Sequence, residues 1–231
     1  MVMSSSRFNR PRLFPQSAPP RPVAQARTDF PALTMAHMRD ARLYADRQDL
    51  IAALGVPAGG VVAEVGVAFG SFSKVMIDLL HPREFVAVDT FELHKHPMIW
   101  GRPTAEVFKG QTHSAFYAAQ FEGSGTIMTI REGLSHVRLA EFPNAHFDLI
   151  YLDADHSYEA VKADADVAKR KLRRDGVLVF NDYIMFDHVA GAPYGVVPAV
   201  NELVVEENWQ VVGFGLQHQM FCDIAIRPAA A

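Results

Sequence analysis

The chain has 231 residues, 49% of them hydrophobic and 21% charged, the proportions of one globular domain large enough to bury a substantial core. No apolar run approaches the ~18 residues of a membrane span, and Cys222, the only cysteine, excludes an internal disulfide and fits a reducing, cytoplasmic setting. The net charge of −4 is unevenly spread: Arg7, Arg10, Arg12, Arg21 and Arg27 all precede the first acid, Asp29. The body that follows is therefore acidic, and a nucleic-acid partner, which wants a basic groove, is not expected.

In chain order, residues 1–28, basic and rich in proline and serine, read as a disordered tail, and residues 29–231 as a single domain. The prolines and the missing apolar segment argue against a targeting peptide. Residues 33–55 read as one or two helices anchored by Leu43, Leu50, Ile51 and Leu54. Strands expected at 61–66, 85–89, 125–130, 147–153 and 176–181 then alternate with helices at 71–80, 104–120, 134–141, 157–173 and 196–207. Asp164 and Asp166 read as the solvated face of the 157–173 helix. Near-continuous apolar strands such as Phe147–Leu152 are those covered on both faces, and alternating β and α implies a parallel sheet. Trp209–Phe214 and Met220–Ile226, joined by Gln217-His218-Gln219, suggest a closing antiparallel hairpin. The expected fold is α/β: a Rossmann-like, doubly wound sheet of about seven strands, mostly parallel, with helices on both faces. Ligands of such sheets sit beyond the carboxyl ends of the strands.

The first of those ends carries the strongest signal. Val61-Val62-Ala63-Glu64-Val65-Gly66-Val67-Ala68-Phe69-Gly70 is an apolar run ending in an acid and two glycines, and the next strand ends in Asp89. Glycines let a ligand approach the backbone between strand and helix, and a strand-terminal acid accepts hydrogen bonds from ribose hydroxyls. A dinucleotide fingerprint needs glycine where this chain has Ala68 and Ser71, and the phosphate-loop pattern is absent, so NAD and a P-loop nucleotide are disfavoured. Residues 90–124 make an unusually long connection holding His94, Trp100 and His113; it reads as a substrate lid or wall, or as a surface excursion around an ordinary helix.

The fourth expected strand ends in Asp153-Ala154-Asp155-His156 and the fifth in Asn181-Asp182-Tyr183. Neighbouring strand ends lie about 5 Å apart, so these groups could converge. Carboxylate and amide oxygens suit a hard cation such as Mg²⁺. An imidazole at His156, with an ordinary pKa of ~6.5, suits proton abstraction near neutral pH. Tyr183 could line the same pocket.

Glu64-x-Gly66-x-x-x-Gly70 followed by Asp89 resembles motif I and its partner acid in class I S-adenosylmethionine-dependent methyltransferases. The later strand ends resemble catechol and caffeoyl-coenzyme A O-methyltransferases. By that resemblance Asp153 binds metal and lies near the donor, His156 stands where the usual lysine base stands, and Asn181-Asp182 replaces an Asp-Asn pair. Glu132-Gly133-Leu134-Ser135-His136 resembles a segment whose Ser-Gln pair contacts adenine, which implies that Ser135 and His136 face adenine. The run from Leu152 to Glu159 with Asn181-Asp182-Tyr183 looks more like a bacterial branch often placed near macrocin O-methyltransferases and cephalosporin hydroxylases. The resemblance covers about residues 55–226. It implies S-adenosylmethionine held by Glu64, Gly66, Gly70, Asp89, Ser135, His136 and Asp153, with His156 and Asp153 catalytic. A divalent cation on Asp153, Asn181 and Asp182 and a small-molecule acceptor, for which a hydroxyl oxygen suits best, also follow, with His94, Trp100, His113 and Tyr183 toward the acceptor. Homo-oligomers are compatible with this reading. Alternatives are a catalytically silent adenosine-ligand binder and a metal-dependent hydrolase or hydroxylase-like enzyme on the same fold.

Overall fold

The structure, a computed structural model, describes residues 27–229, so the expected tail lies outside the described residues except for Arg27 and Thr28. The strands of the main sheet are β1 (Arg42–Tyr44), β2 (Val61–Val65), β3 (Glu84–Asp89), β4 (Ile127–Glu132), β5 (Phe147–Leu152), β6 (Leu172–Phe180), β7 (Trp209–Leu216) and β8 (Cys222–Pro228). The helices are α1 (Arg47–Ala53), α2 (Ser71–Leu80), α3 (Thr104–Phe108), α4 (His113–Ala119), α5 (Ser135–Ala140), α6 (Tyr158–Lys171) and α7 (Val196–Glu206).

The sheet order is β1-β7-β8-β6-β5-β2-β3-β4. Strands β6, β5, β2, β3 and β4 run parallel, and β8 pairs antiparallel with both β6 and β7. The expected parallel sheet with a closing hairpin is thus present, with one strand more than anticipated. Successive residues of β2 alternate faces: Val61, Ala63 and Val65 pack under α5, α6 and α7, and Val62 under α1, α2 and α4. Both faces are covered, which is why the central strands are mostly apolar.

The strand order reverses at β2, whose neighbours are β3 and β5. Helices leave for opposite faces there and open a crevice at the carboxyl ends. Backbone bonds knit those ends together: Gly66 N donates to Val88 O (2.8 Å), Asp153 N to Val65 O (2.7 Å), Gly133 N to Asp89 O (2.8 Å) and Asn181 N to Leu152 O (2.9 Å).

Three expectations need correction. Residues 33–55 are not mainly helical: Arg42–Tyr44 add parallel to β7, and helix begins only at Arg47, where Asp46 caps it by accepting from Asp49 N (2.8 Å). Periodicity could not reveal β1, because its stability comes from a distant edge. Second, the helix expected at 104–120 is two short ones, parted where Lys109 and Gly110 both adopt left-handed backbone (φ 51° and 79°) and Thr112 caps afresh. Third, Asp166 does sit on the solvated face, paired with Lys162 (3.0 Å) and Lys169 (2.9 Å), but Asp164 is 3% exposed. Burial pushes its carboxyl up to about 6, against the stabilising Ser135 hydroxyl and His136 across the α5–α6 contact.

Candidate active site

A cleft of about 690 Å³ opens at the carboxyl ends of β2, β3, β4 and β5. Of the anticipated residues, Gly66, Asp89, Ser135, Asp153, His156 and Trp100 line it. Its walls also include Asp155, Tyr194 and Leu93 and, among the described residues, no lysine or arginine.

The glycine turn forms one wall. Gly66 has φ 83°, and a Cβ there would fall 2.0 Å from the Asp153 carbonyl oxygen, so the strand ends pass too close for any side chain. Ala68, also on the wall, takes φ 44°, a left-handed conformation that costs a non-glycine residue about 1–2 kcal/mol. The Asp89 carboxylate accepts from Val67 N (2.9 Å) through one oxygen and from Phe91 N (2.8 Å) through the other. It therefore ties the glycine turn to the exit of β3 and still has lone pairs for a ligand. Gly70 is the left-handed N-cap of α2 (φ 78°), packed on Tyr117 behind the cleft.

Glu64 is 1% exposed beneath the turn and accepts from the Ser73 hydroxyl. Burial holds its carboxyl well above the usual range, which the Ser73 bond and Arg47 only partly offset.

The long connection after β3 has two roles that the sequence did not separate. Its first part brings Leu93 and Trp100 to the cleft, Trp100 standing edge-on to Phe69 with ring centroids 5.1 Å apart. Its second part, α4, braces the glycine turn from behind. His113, fully buried, bonds through Nε2 to the Ala68 carbonyl, and Gln120 donates to the Phe69 carbonyl (2.9 Å). His113 is thus placed on the supporting structure and not on the acceptor side. His94 bonds the Phe91 carbonyl (3.2 Å) and stays off the wall, as does His136, which lies beside Asp164. Tyr183 is turned into the core, its hydroxyl bonded to Asn201.

The opposite wall is acidic. Burial, then Asp182 and Asp223 nearby, hold the Asp153 carboxyl well above its ordinary range; Asp182 is pushed up to about 6 by burial and by Asp223 and Asp187. His156 lies between them, its Nε2 3.7 Å from Asp153 Oδ1 and 3.8 Å from Asp182 Oδ2, beyond hydrogen-bonding reach of either. That nitrogen is buried without a hydrogen-bond partner. Burial lowers the imidazole pKa, and the opposing influence of Asn181, Asp155 and Asp187 does not reverse it.

Asp153 follows β5, and Asn181 and Asp182 follow β6, the neighbouring strand. Asn181 spends its amide N–H groups on Tyr151 Oη (3.2 Å) and Asp223 Oδ1 (3.0 Å), deep beside the site. Among the described residues no group of three or more His, Cys, Asp or Glu converges on a cation position. The Tyr151 hydroxyl donates to Asp223 Oδ2 (2.7 Å) and accepts from Arg47 (3.4 Å), whose guanidinium stacks over Phe72 (4.0 Å). This buried network has no local signature in sequence, because its members come from α1, β5, β6 and β8.

Tyr194 was also missed. It is carried by a two-stranded ribbon, Phe186–Asp187 with Ala192–Pro193, and its ring stacks on His156. The Pro193-Tyr194-Gly195 run marks a turn, but nothing in it points to His156.

A crevice at the reversal point of a parallel sheet, with a glycine turn and an acid after successive strands, defines a nucleoside-type binding α/β protein. A family model described as a methyltransferase domain matches residues 63–183, just over half of the chain. The chain belongs to that family and is a methyltransferase. Similar solved structures include a SAM-dependent methyltransferase from Aquifex aeolicus (TM-score 0.54, 11% identity, covering 80% of this chain and 91% of that one). An O-methyltransferase from Bacillus cereus in complex with SAH is similar as well (TM-score 0.53, 15% identity, 78% of each chain). A B. subtilis tRNA methyltransferase, TrmK, is also similar (TM-score 0.53, 13% identity, 80% of this chain), though this chain covers only 66% of its length. At these identities the likeness is one of fold. No curated protein matches the chain. No helix among the described residues is long and apolar enough to cross a membrane.

Proposed function

We propose that the protein transfers the methyl group of S-adenosylmethionine to a hydroxyl oxygen of a small-molecule acceptor, with His156 as the general base. The observation that carries this reading is the free Nε2 of His156: a buried, unpartnered imidazole nitrogen on the cleft wall. Methyl transfer from a sulfonium is an in-line displacement, so the protein's work is to orient and desolvate, and to take a proton where the nucleophile carries one. A hydroxyl needs that proton removed. A depressed imidazole pKa keeps His156 neutral, hence able to accept it.

The donor side suits the same reading. The sulfonium and ammonium groups of S-adenosylmethionine are positive, and the cleft offers Asp89, Asp153 and Asp155 with no lysine or arginine among the described residues. A phosphate-bearing ligand would meet repulsion there. Asp89 addresses the ribose, Gly66 permits close approach, Ser135 faces the adenine and Asp153 the amino-acid end. His156, Pro193, Tyr194 and Trp100 surround the acceptor. Glu64 and Gly70 act through the shape of the glycine turn. The motifs after β5 and β6 support a reading within the bacterial branch resembling macrocin and catechol O-methyltransferases, and a single cysteine, Cys222, suits a cytoplasmic setting.

The test is transfer of an isotopically labelled methyl group to a panel of phenols and sugars, followed by mass spectrometry. His156→Gln should lower turnover by roughly 10²–10⁴-fold with donor affinity retained. Full turnover by that variant, with unchanged pH dependence, would remove the base.

A further inference from the structure

We propose that Tyr194 is the positioning residue for His156, and that the 186–193 ribbon exists to hold it. This rests on the base assignment made above.

A general base cannot be oriented through its own lone pair. A hydrogen bond to Nε2 would fix the ring but occupy the site that must take the proton. Other constraints have to set the ring plane: Asn181 acts on the imidazole from one side, and a stack holds its face. The Tyr194 and His156 rings lie 4.5 Å apart, centroid to centroid, and within 14° of parallel. A stacked neighbour restrains tilt and excludes water from one face while leaving both ring nitrogens free.

The main chain is held from the same point. Gly195 N donates to the His156 carbonyl (2.7 Å), so adjacent residues grip both the ring and the backbone of the base. A Cβ at Gly195 would meet Tyr158 N at 2.1 Å, so only glycine permits that approach. From the other direction, Asp155 Oδ1 accepts from Ser157 N (2.7 Å), and Ser157 caps α6.

Tyr194 is itself anchored. Its N–H donates to Met185 O (3.0 Å) and its hydroxyl to Asp187 Oδ2 (3.0 Å). The other Asp187 oxygen accepts from Val189 N (2.7 Å) and Ala190 N (2.9 Å), and its carbonyl from Gly191 N (2.8 Å). The turn of the ribbon is closed around one carboxylate, and that carboxylate points at the tyrosine. Such wiring is unnecessary for a loop that merely connects β6 to α7. Because Tyr194 also lines the cleft, it would meet the acceptor, and the experiment has to separate the two roles.

The full chain is compared with Tyr194→Phe, which keeps the ring and loses the hydroxyl, and Tyr194→Leu, which keeps bulk and loses the ring. His156→Gln serves as reference. Turnover is read from labelled S-adenosylmethionine with an acceptor from the panel, donor affinity by calorimetry, and the His156 ring by the NMR shift of its Cε1–H, assigned by its absence in His156→Gln. In Tyr194→Leu we expect kcat to fall on the order of 10–100-fold, since a displacement of about 1 Å can cost 10²-fold. Donor affinity should be retained, and the Cε1–H resonance should move as the ring current of Tyr194 disappears. Tyr194→Phe should restore most of kcat and the resonance position. An unmoved resonance in Tyr194→Leu overturns the proposal without any acceptor. So does a loss confined to KM, which would make Tyr194 an acceptor contact alone. Full turnover by His156→Gln sinks the base assignment and this proposal with it; wild-type kcat in Tyr194→Leu beside an inactive His156→Gln sinks only the positioning role.

Discussion

Gly66→Ala tests the central geometric claim, that the glycine turn is dictated by the passage of one strand end against another. Two costs are separable. The first is conformational: alanine at φ 83° is in left-handed space, worth about 1–2 kcal/mol. The second is steric: the new methyl would sit 2.0 Å from the Asp153 carbonyl oxygen, 2.5 Å from its carbon and 2.8 Å from Ala154 Cα. These are backbone atoms and cannot rotate away, so β5 must shift at its exit, at an overpacking cost of about 1–3 kcal/mol. Together that is about 2–5 kcal/mol, or roughly 4–20 °C in melting temperature for a chain of this length. Gly55→Ala is the control: it has φ 70° and nothing within 4 Å of the added Cβ, so only the conformational cost applies. Thermal unfolding by circular dichroism should place Gly66→Ala well below Gly55→Ala, and calorimetry should show donor binding lost in the first alone. Equal melting temperatures, with S-adenosylmethionine binding intact in both, would refute the argument.

Asp89→Asn should raise the donor Kd by about 10–100-fold, the loss of charge-assisted bonds to ribose and to the turn; wild-type affinity would leave Asp89 a turn anchor and nothing more. The acid limb of the kcat profile should fall below pH 6.5, because burial depresses the His156 pKa and the neutral base persists to lower pH. A limb above that value contradicts the assignment. Asp164 gives a stability test. Its folded pKa of about 6 exceeds the ordinary 3.8, so the folded state binds more protons between these values and stability falls as pH rises through that window. Asp164→Asn should therefore stabilise the protein at pH 7–8 by an amount on the order of 1–3 kcal/mol and leave it unchanged near pH 4; denaturant midpoints showing the reverse would mean that Ser135 and His136 outweigh the cost of burial. Finally, exhaustive EDTA treatment should leave methyl transfer unaffected; restoration of lost activity by Mg²⁺ would assign a cation to Asp153, Asp182 and the Asn181 amide oxygen.

Much of the architecture was legible because local and global requirements coincide. The apolar runs at Val61–Val65 and Phe147–Leu152 are continuous since both faces of those strands are covered, and Gly66 and Asp89 stand where the sheet must receive a ligand. Strand, turn and acid are encoded within some thirty consecutive residues, so reading along the chain suffices. The same holds for Asp153 and His156, which follow β5 directly. What sequence left open depends on residues brought together from far apart. His113 is a brace because α4 folds behind the glycine turn, and the Asn181 N–H groups are taken up by Tyr151 and Asp223. β1 exists because β7 offers an edge, and Asp164 is buried because α5 lies against α6. Tyr194 reaches His156 only through a ribbon closed around Asp187. By itself the sequence determined the central parallel strands, the closing hairpin, the glycine turn and the acids at the strand ends, since hydrophobic period and glycine placement are local properties of the chain. The tertiary structure alone decided which polar side chains face the ligand and which support the wall, because that depends on which partner, in a crowded and largely desolvated crevice, claims each hydrogen bond first.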